Sequence, residues 1–166
     1  MAATLIFRLT LGGIAQGSND HDDSLGGIMS TDELSATALN NLFDNVSASE
    51  ASTGDTEYRM IDVYNSGDAT ATSVVFKRTT DSSSTDTVIT IGKVTTTGAD
   101  DHIAGWDGQT IANESTAPDD VSFGTGDVSL SDITTLQAAR VAVKRVVSAS
   151  ATNTSSDQAT ISVEYA

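Results

Sequence analysis

The chain has 166 residues and a mass of 17.1 kDa, and its 23 acidic and 8 basic side chains give a formal net charge of −15. This length suits a single domain, which can bury roughly two-thirds of the surface that its unfolded chain exposes. The absence of cysteine excludes a disulfide scaffold, a thiol nucleophile and thiolate metal sites. The acidity argues against nucleic-acid binding, because neutralising phosphates requires clustered lysine and arginine.

The sequence predicts neither an export signal nor a membrane span. The first eleven residues lack a positively charged start and are interrupted by Arg8, which is untypical of a secretory signal. No stretch reaches the roughly 18 consecutive apolar residues that cross a bilayer. Together with abundant Ser and Thr, this favours a protein made in a host cytoplasm and released by lysis, as virion components are. A halophilic cytosolic protein and a mature chain cloned without its signal are the alternatives.

Residues 1–29 predict a strand followed by an extended arm. Residues 4–11 alternate apolar side chains with others, which is the pattern of a strand with one apolar face. Residues 12–30 carry paired glycines without periodicity, and long loops of this kind are commonly functional or fixed against a neighbour. We therefore expect residues 1–29 to form an N-terminal strand and extended arm, of which residues 4–27 add a strand to a neighbouring subunit, and residues 30–166 to form the β-sandwich domain.

Residues 30–43 favour either a short helix or a run of turns that leads into a strand. Ser30 and Glu33 have the spacing of a capping box, and Leu34 and Leu42 belong to an apolar series at helical spacing. The Ser, Thr and Asn residues between them are mediocre helix formers. The two alternatives are therefore equally supported.

The remainder of the chain predicts short strands separated by turns. Residues 57–65 and 70–79 flank a turn at residues 65–68 and form a candidate hairpin. Further strands are predicted at residues 86–94, 109–112, 121–123, 139–148 and 158–165, the last two as a closing hairpin. Short strands with turn signals at this spacing are typical of a β-sandwich or barrel. The predicted fold class is all-β, a single β-sandwich preceded by the N-terminal strand and arm.

Two Asp–His clusters are the candidate metal sites. His21 lies among Asp20, Asp22 and Asp23, and His102 follows Asp100 and Asp101. Oxygen and nitrogen ligands of this kind can hold a divalent ion, with calcium the best candidate. Solvated acidic loops are the commoner reading in so acidic a chain, and neither cluster matches the EF-hand spacing.

No catalytic or cofactor-binding residue is predicted. The sequence contains no nucleophile-elbow motif and no glycine-rich phosphate loop. Paired carboxylates of the glycosidase type are the weak alternative, because Trp106 is the only tryptophan that could form a sugar platform. We therefore expect a protein that is not an enzyme and that uses no metal and no cofactor.

A basic strand stands out against the acidic background. Strand alternation places Arg140 and Lys144 on one face of residues 139–148 and Arg145 on the other. These charges either offset acidic neighbours within the sheet, which is the favoured reading, or dock onto an acidic partner. A charge reversal should be felt most at these three positions.

Several segments resemble small structural proteins of tailed bacteriophages. In that pattern an N-terminal strand and a Ser-Leu-Gly-Gly arm precede a core with characteristic Leu-Phe-Asp and Gly-Asp-Thr-Glu-Tyr-Arg segments. The matching residues here are 24–27, 42–44, 54–59 and 65–67, together with residues 113–118 and the closing basic strand.

The resemblance implies a head decoration or cement protein with an immunoglobulin-like or jelly-roll sandwich. Such a protein would bind the major capsid protein on the outer surface of the virion as a homo-oligomer, for example a trimer, without nucleic acid or membrane contacts. Three other classes stay open: a tail or fibre component, a secreted adhesion or pilin-like β-domain, and an enzyme acting on acidic or sugar substrates.

Overall fold

The computed structural model describes residues 2–12, 20–37, 40–154 and 157–166, and within these ranges nine strands form two antiparallel sheets. The one helix of these ranges, α1, spans Ala48–Thr53. The strands are β1 (Leu5–Thr10), β2 (Met29–Glu33), β3 (Asp55–Asn65), β4 (Val75–Thr80), β5 (Thr87–Lys93), β6 (His102–Ile103), β7 (Val128–Ser129), β8 (Gln137–Val147) and β9 (Thr160–Glu164). The predicted all-β sandwich is confirmed. Among the described residues no helix is long and apolar enough to cross a membrane.

The larger sheet is built around its two longest strands, β3 and β8. They pair from Asp55 opposite Val147 to Tyr64 opposite Ala138, without a break in register. The order across this sheet is β2-β1-β3-β8-β5. The short strand β6 pairs with the first residues of β8, on the same side of β8 as β5. The smaller sheet has the order β7-β4-β9.

The main core lies between the two sheets. Alternation along β3 and β8 points Ile61, Val63, Val141 and Val143 toward the smaller sheet, where they pack in one cluster with Phe76 of β4. All five side chains are almost fully buried. Because the two sheets contribute side chains to one continuous core, they stabilise each other by apolar burial.

The opposite face of the larger sheet is covered by the long connection between β5 and β7. This connection contains β6, and it pairs back onto the sheet edge through bridges from Ile91 to Gly124 and from Val94 to Val121. Its side chains pack with Met60 and other residues of the outer face in a second apolar cluster. Both faces of β3 and β8 are therefore buried, which explains their nearly continuous burial.

Both predicted hairpins are wrong, although all four of their strands exist. β3 belongs to the larger sheet and β4 to the smaller one, and β8 and β9 are divided in the same way. The side-chain amide of Asn65 at the end of β3 donates to the carbonyls of Ala69 and Ile133, at 2.8 and 2.9 Å. These bonds hold the chain in a crossing to the other sheet instead of a tight turn. The strands predicted at 109–112 and 121–123 form only isolated bridges.

The short helix that was one of the two alternatives for residues 30–43 is not formed by the described residues of that segment. Met29–Glu33 forms the strand β2, and bends follow that strand, so neither alternative describes the start of this segment. The capping box lies further along, where Ser47 accepts a hydrogen bond from the Glu50 amide and the Glu50 carboxylate accepts one from the Ser47 amide. Ala38 and Leu39 of the predicted helix lie outside the described residues.

The predicted N-terminal strand is present as β1, and it lies inside its own chain's sheet. It pairs with β2 on one side and β3 on the other, and Leu9 and Leu11 are buried. β1 is therefore not free to add to a neighbouring subunit. Residues 13–19 of the predicted arm lie outside the described ranges, and the boundary between residues 29 and 30 stays a prediction.

Candidate functional site

His102 lies in a closed ionic cluster on the outer face of the larger sheet. Its Nε2 is 3.0 Å from Oδ1 of Asp62, whose carboxylate also accepts hydrogen bonds of 2.8 Å from Nε and Nη2 of Arg140. Nη1 of Arg140 donates to the carbonyl of Gly27 at 2.8 Å. The Trp106 ring lies 4.6 Å from the His102 ring and 5.1 Å from the Arg140 guanidinium, measured to its centroid.

The electrostatics of this cluster keep Asp62 ionised. Burial alone raises the pKa of Asp62, but the charge of Arg140 and the hydrogen bonds from His102 and Arg140 outweigh it and hold the pKa below its ordinary 3.8. Asp62 is 0% exposed, Arg140 1% and His102 4%. Because no substrate can reach the three side chains, the cluster is suited to holding the outer layer on the sheet and not to catalysis.

The structure does not bring His102 together with the two aspartates that precede it in its candidate cluster. Asp101 accepts hydrogen bonds from the amide and hydroxyl of Thr134, and Asp100 accepts one from Ser131. These carboxylates fix the connection to the start of β8, so they do not share a site with His102.

A second ionic cluster lies near the start of β3, where the end of β8 pairs with it. Arg145 pairs with Glu57 directly across the two strands and with Asp44, and Arg59 pairs with Glu114 at 2.7 Å. The ring of Phe43 lies 4.9 Å from the Arg145 guanidinium and 5.3 Å from that of Arg59. Burial raises the pKa of Glu57 to about 6, and the attraction of Arg145 only partly opposes this rise.

The basic strand is therefore not a docking patch. Arg140 and Arg145 are buried against Asp62 and Glu57, so they offset acidic neighbours within the sheet. Lys144 is half-buried, with its ammonium 5.9 Å from the centroid of the Tyr58 ring. β8 lies inside the sheet, so its charges do not guard an edge either.

The second candidate metal site consists of Asp20, His21 and Asp22. His21–Asp23 forms a short 3₁₀ helix, and Asp20 directly precedes it. The ligand atoms of this site lie within 4.8 Å of one another, and its residues are the only such group among the described residues. Asp22 Oδ1 is 2.7 Å from His21 Nδ1 and 3.5 Å from Nη2 of Arg59. Because a guanidinium already lies beside this carboxylate, the arrangement favours an ion pair over a metal centre.

The hydrogen bonds of the two histidines also bear on catalysis. Within the described ranges His102 has hydrogen-bond contacts with the Asp62 carboxylate and the carbonyl of Ile103, and His21 lies at ion-pair distance from Asp20 and Asp22. A serine nucleophile would need a histidine base within hydrogen-bond reach, and neither histidine has such a serine partner in these ranges.

The burial of the basic side chains is the property that sequence reasoning missed. All charged side chains fall within the described residues, and every lysine and arginine is buried or half-buried. The exposed charged side chains are all acidic. They are Asp20, Asp22, Asp23, Glu33, Asp44, Asp68, Asp81, Asp107, Asp119, Asp120, Asp127, Asp132 and Glu164.

A cleft of about 1330 Å³ opens between the two sheets at the end that carries Phe43 and Arg145. Half-buried apolar side chains from both sheets line it, together with Asp44 and Asp157. It is larger than the concave surface beside His21, which has a volume of about 350 Å³, and it is the candidate for binding. Comparison with known proteins found no matching protein family, no matching curated protein and no matching solved structure.

Proposed function

We propose that this chain is a structural protein of a tailed-bacteriophage virion, a decoration or cement protein that binds the outside of the assembled head. Its partner is the major capsid protein, and it acts as a homo-oligomer. The resemblance of residues 24–27, 42–44 and 54–59 to such proteins supports this proposal. The single observation that carries it is that the most exposed charged side chains of this all-β sandwich are all acidic.

A predominantly acidic surface suits the outermost layer of a particle. It repels other particles and polyanions such as DNA, which keeps released virions apart. The same surface is unsuited to packaging DNA inside the head, because phosphate binding needs exposed lysine or arginine.

A cement protein acts by mass action and needs no catalytic group. It binds the assembled lattice and not the free subunits, so it stabilises the shell by the free energy of that contact. The closed ionic clusters around Asp62 and Glu57 are compatible with this role, because they stabilise the domain without presenting reactive groups.

The test is the abundance and position of the chain in purified particles of the phage that encodes it. We expect mass spectrometry to find a copy number of the same order as that of the major capsid protein, and cryo-electron microscopy to place it on the head. A few copies confined to the tail would replace the proposal with a tail component. Absence from the particles would refute a virion role.

A second measurement tests the stabilising role itself. Particles assembled without the chain should release their DNA at a lower temperature than complete particles, and adding the purified chain should restore the difference. Equal release temperatures in the two kinds of particle would contradict a cementing function even if the chain is found on the head.

A further inference from the structure

The cleft between the sheets exists because the smaller sheet is too narrow to cover the larger one. Three strands face a sheet of six among the described residues, and the uncovered part of the core is lined by half-buried apolar side chains. These are Phe7, Leu34, Phe43, Ile161 and Val163. A core face left open in this way is stabilised by whatever removes it from water, at about 25 cal/mol per Å².

The strand bordering the cleft, β9, is the edge of the smaller sheet. It pairs with β4 on one side only, and residues 158–163 line the cleft. The backbone groups on the other side of an edge strand can pair with a further strand. Edge strands are commonly protected by lysine or proline, and Thr160–Glu164 contains neither.

The charges around the cleft decide which kind of chain can enter it. Asp44 and Asp157 line it, and the one cation in its wall, Arg145, is already paired with Glu57 and Asp44. The most exposed charges that a second copy of this protein would bring to this acidic surface are all carboxylates. Charge complementarity therefore favours a different protein that carries exposed lysine or arginine.

We propose that β9 and the cleft receive an extended, positively charged segment of another protein. The segment pairs with β9 as the fourth strand of the smaller sheet and places every second side chain, an aliphatic one, in the cleft. Its lysines or arginines flank the strand and meet the acidic rim. This is recognition by strand addition, in which backbone hydrogen bonds supply affinity and the pockets supply specificity.

The test uses the whole chain and a library of random nine-residue peptides displayed on yeast. We expect the enriched peptides to alternate aliphatic and small residues and to carry lysine or arginine at their ends. In nuclear magnetic resonance spectra of the wild-type chain, the best synthetic peptide should shift the amides of β9 and slow their hydrogen exchange. No enrichment, enrichment without cationic residues, or shifts confined to another surface would overturn the proposal.

Matched variants separate a bound strand from a nonspecific peptide. Val163→Thr keeps a strand-forming residue of similar size but places a hydroxyl in the cleft, so it should weaken the best peptide about tenfold. Ser129→Thr, an exposed change in β7 at the opposite edge of the smaller sheet, should leave the affinity unchanged. Equal affinities of the peptide for Val163→Thr and for the wild type would contradict the proposal. If Val163→Thr fails to fold, the amide shifts of the wild-type chain test the proposal instead. Peptide binding is measured without particles, so its failure is distinguishable from failure of the virion role.

Discussion

The buried pair of Asp62 and Arg140 makes the sharpest energetic prediction. Removing one partner of a buried ion pair leaves the other charge without compensation and costs about 3–5 kcal/mol. Asp62→Leu leaves Arg140, which is 1% exposed, facing an apolar group, so we expect a loss in this range. For a chain of this size the loss lowers the melting temperature by roughly 6–20 °C. Urea unfolding followed by circular dichroism measures it.

The double variant Asp62→Leu/Arg140→Met tests the reasoning behind that number. Apolar side chains of similar volume can replace a buried pair at little cost, so the double variant should lose less stability than either single variant. The exposed Asp107→Asn is the control and should change stability by less than about 0.5 kcal/mol. A loss below about 1 kcal/mol for Asp62→Leu, or a double-variant loss equal to the sum of the singles, would refute the account.

The pH dependence of the stability of Asp62→Leu tests the direction of the pKa shift of Asp62. The folded pKa of Asp62 lies below its ordinary 3.8, so the stability that its ionisation contributes is complete above that value. It is lost as the pH falls through the folded pKa. The difference in stability between wild type and Asp62→Leu should therefore shrink in acid.

Four other predictions concern different parts of the fold. The pKa of Glu57 is raised from 4.5 to about 6, so the stability contributed by its protonated form is complete below pH 4.5 and is lost as the pH rises through 6. Glu57→Gln should remove this part of the pH dependence of stability, measured by urea unfolding at each pH. Gly26→Ala should destabilise strongly, because its backbone has φ of 101° and a Cβ atom would overlap the covering connection, whereas Gly126→Ala meets open space and should be neutral in the same assay. Leu136→Asn should raise stability by roughly 0.5 kcal/mol, because Leu136 is 59% exposed with φ of 63°, a conformation that asparagine tolerates better; an unchanged or lower unfolding midpoint would contradict this. Deleting residues 1–27 should unfold the chain, because it removes β1 from the interior of the sheet, and a cooperative unfolding transition in the truncated chain would contradict that.

The sequence predicted the positions of the strands well and their pairing partners poorly. The position of a strand depends on neighbouring residues, whereas its pairing depends on residues far away along the chain. Alternating apolar residues in β3 and the β-branched run in β8 are local signals, and both strands were predicted close to their observed bounds. Whether a strand pairs with its neighbour in the chain or crosses to the other sheet depends on contacts far along the chain. The bond from Asn65 to the carbonyl of Ile133 is one such contact, and a local pattern cannot reveal it.

The partners within the ionic clusters were equally hard to predict from the sequence, because they too depend on how distant strands pair. Asp62 shares a face of β3 with Met60 and Tyr64, and a carboxylate among apolar neighbours already indicates a buried cation as its partner. Which cation supplies the charge depends on the register of β3 against β8, which places Asp62 opposite Arg140 and Glu57 opposite Arg145. Without that register, the sequence favoured acidic neighbours within the sheet as partners of the β8 arginines but left docking to another protein open.

Burying the cations determines how this chain can bind anything. Three of its eight basic side chains are buried and five are half-buried, so its most exposed charges are of one sign. Attraction to a basic partner then acts over about a Debye length, roughly 8 Å in physiological salt, and mainly sets the rate of encounter. The lifetime of the complex is set by what lies within contact distance, which at the cleft is apolar side chains and the backbone of β9. Added salt should therefore slow association at this surface far more than it speeds dissociation.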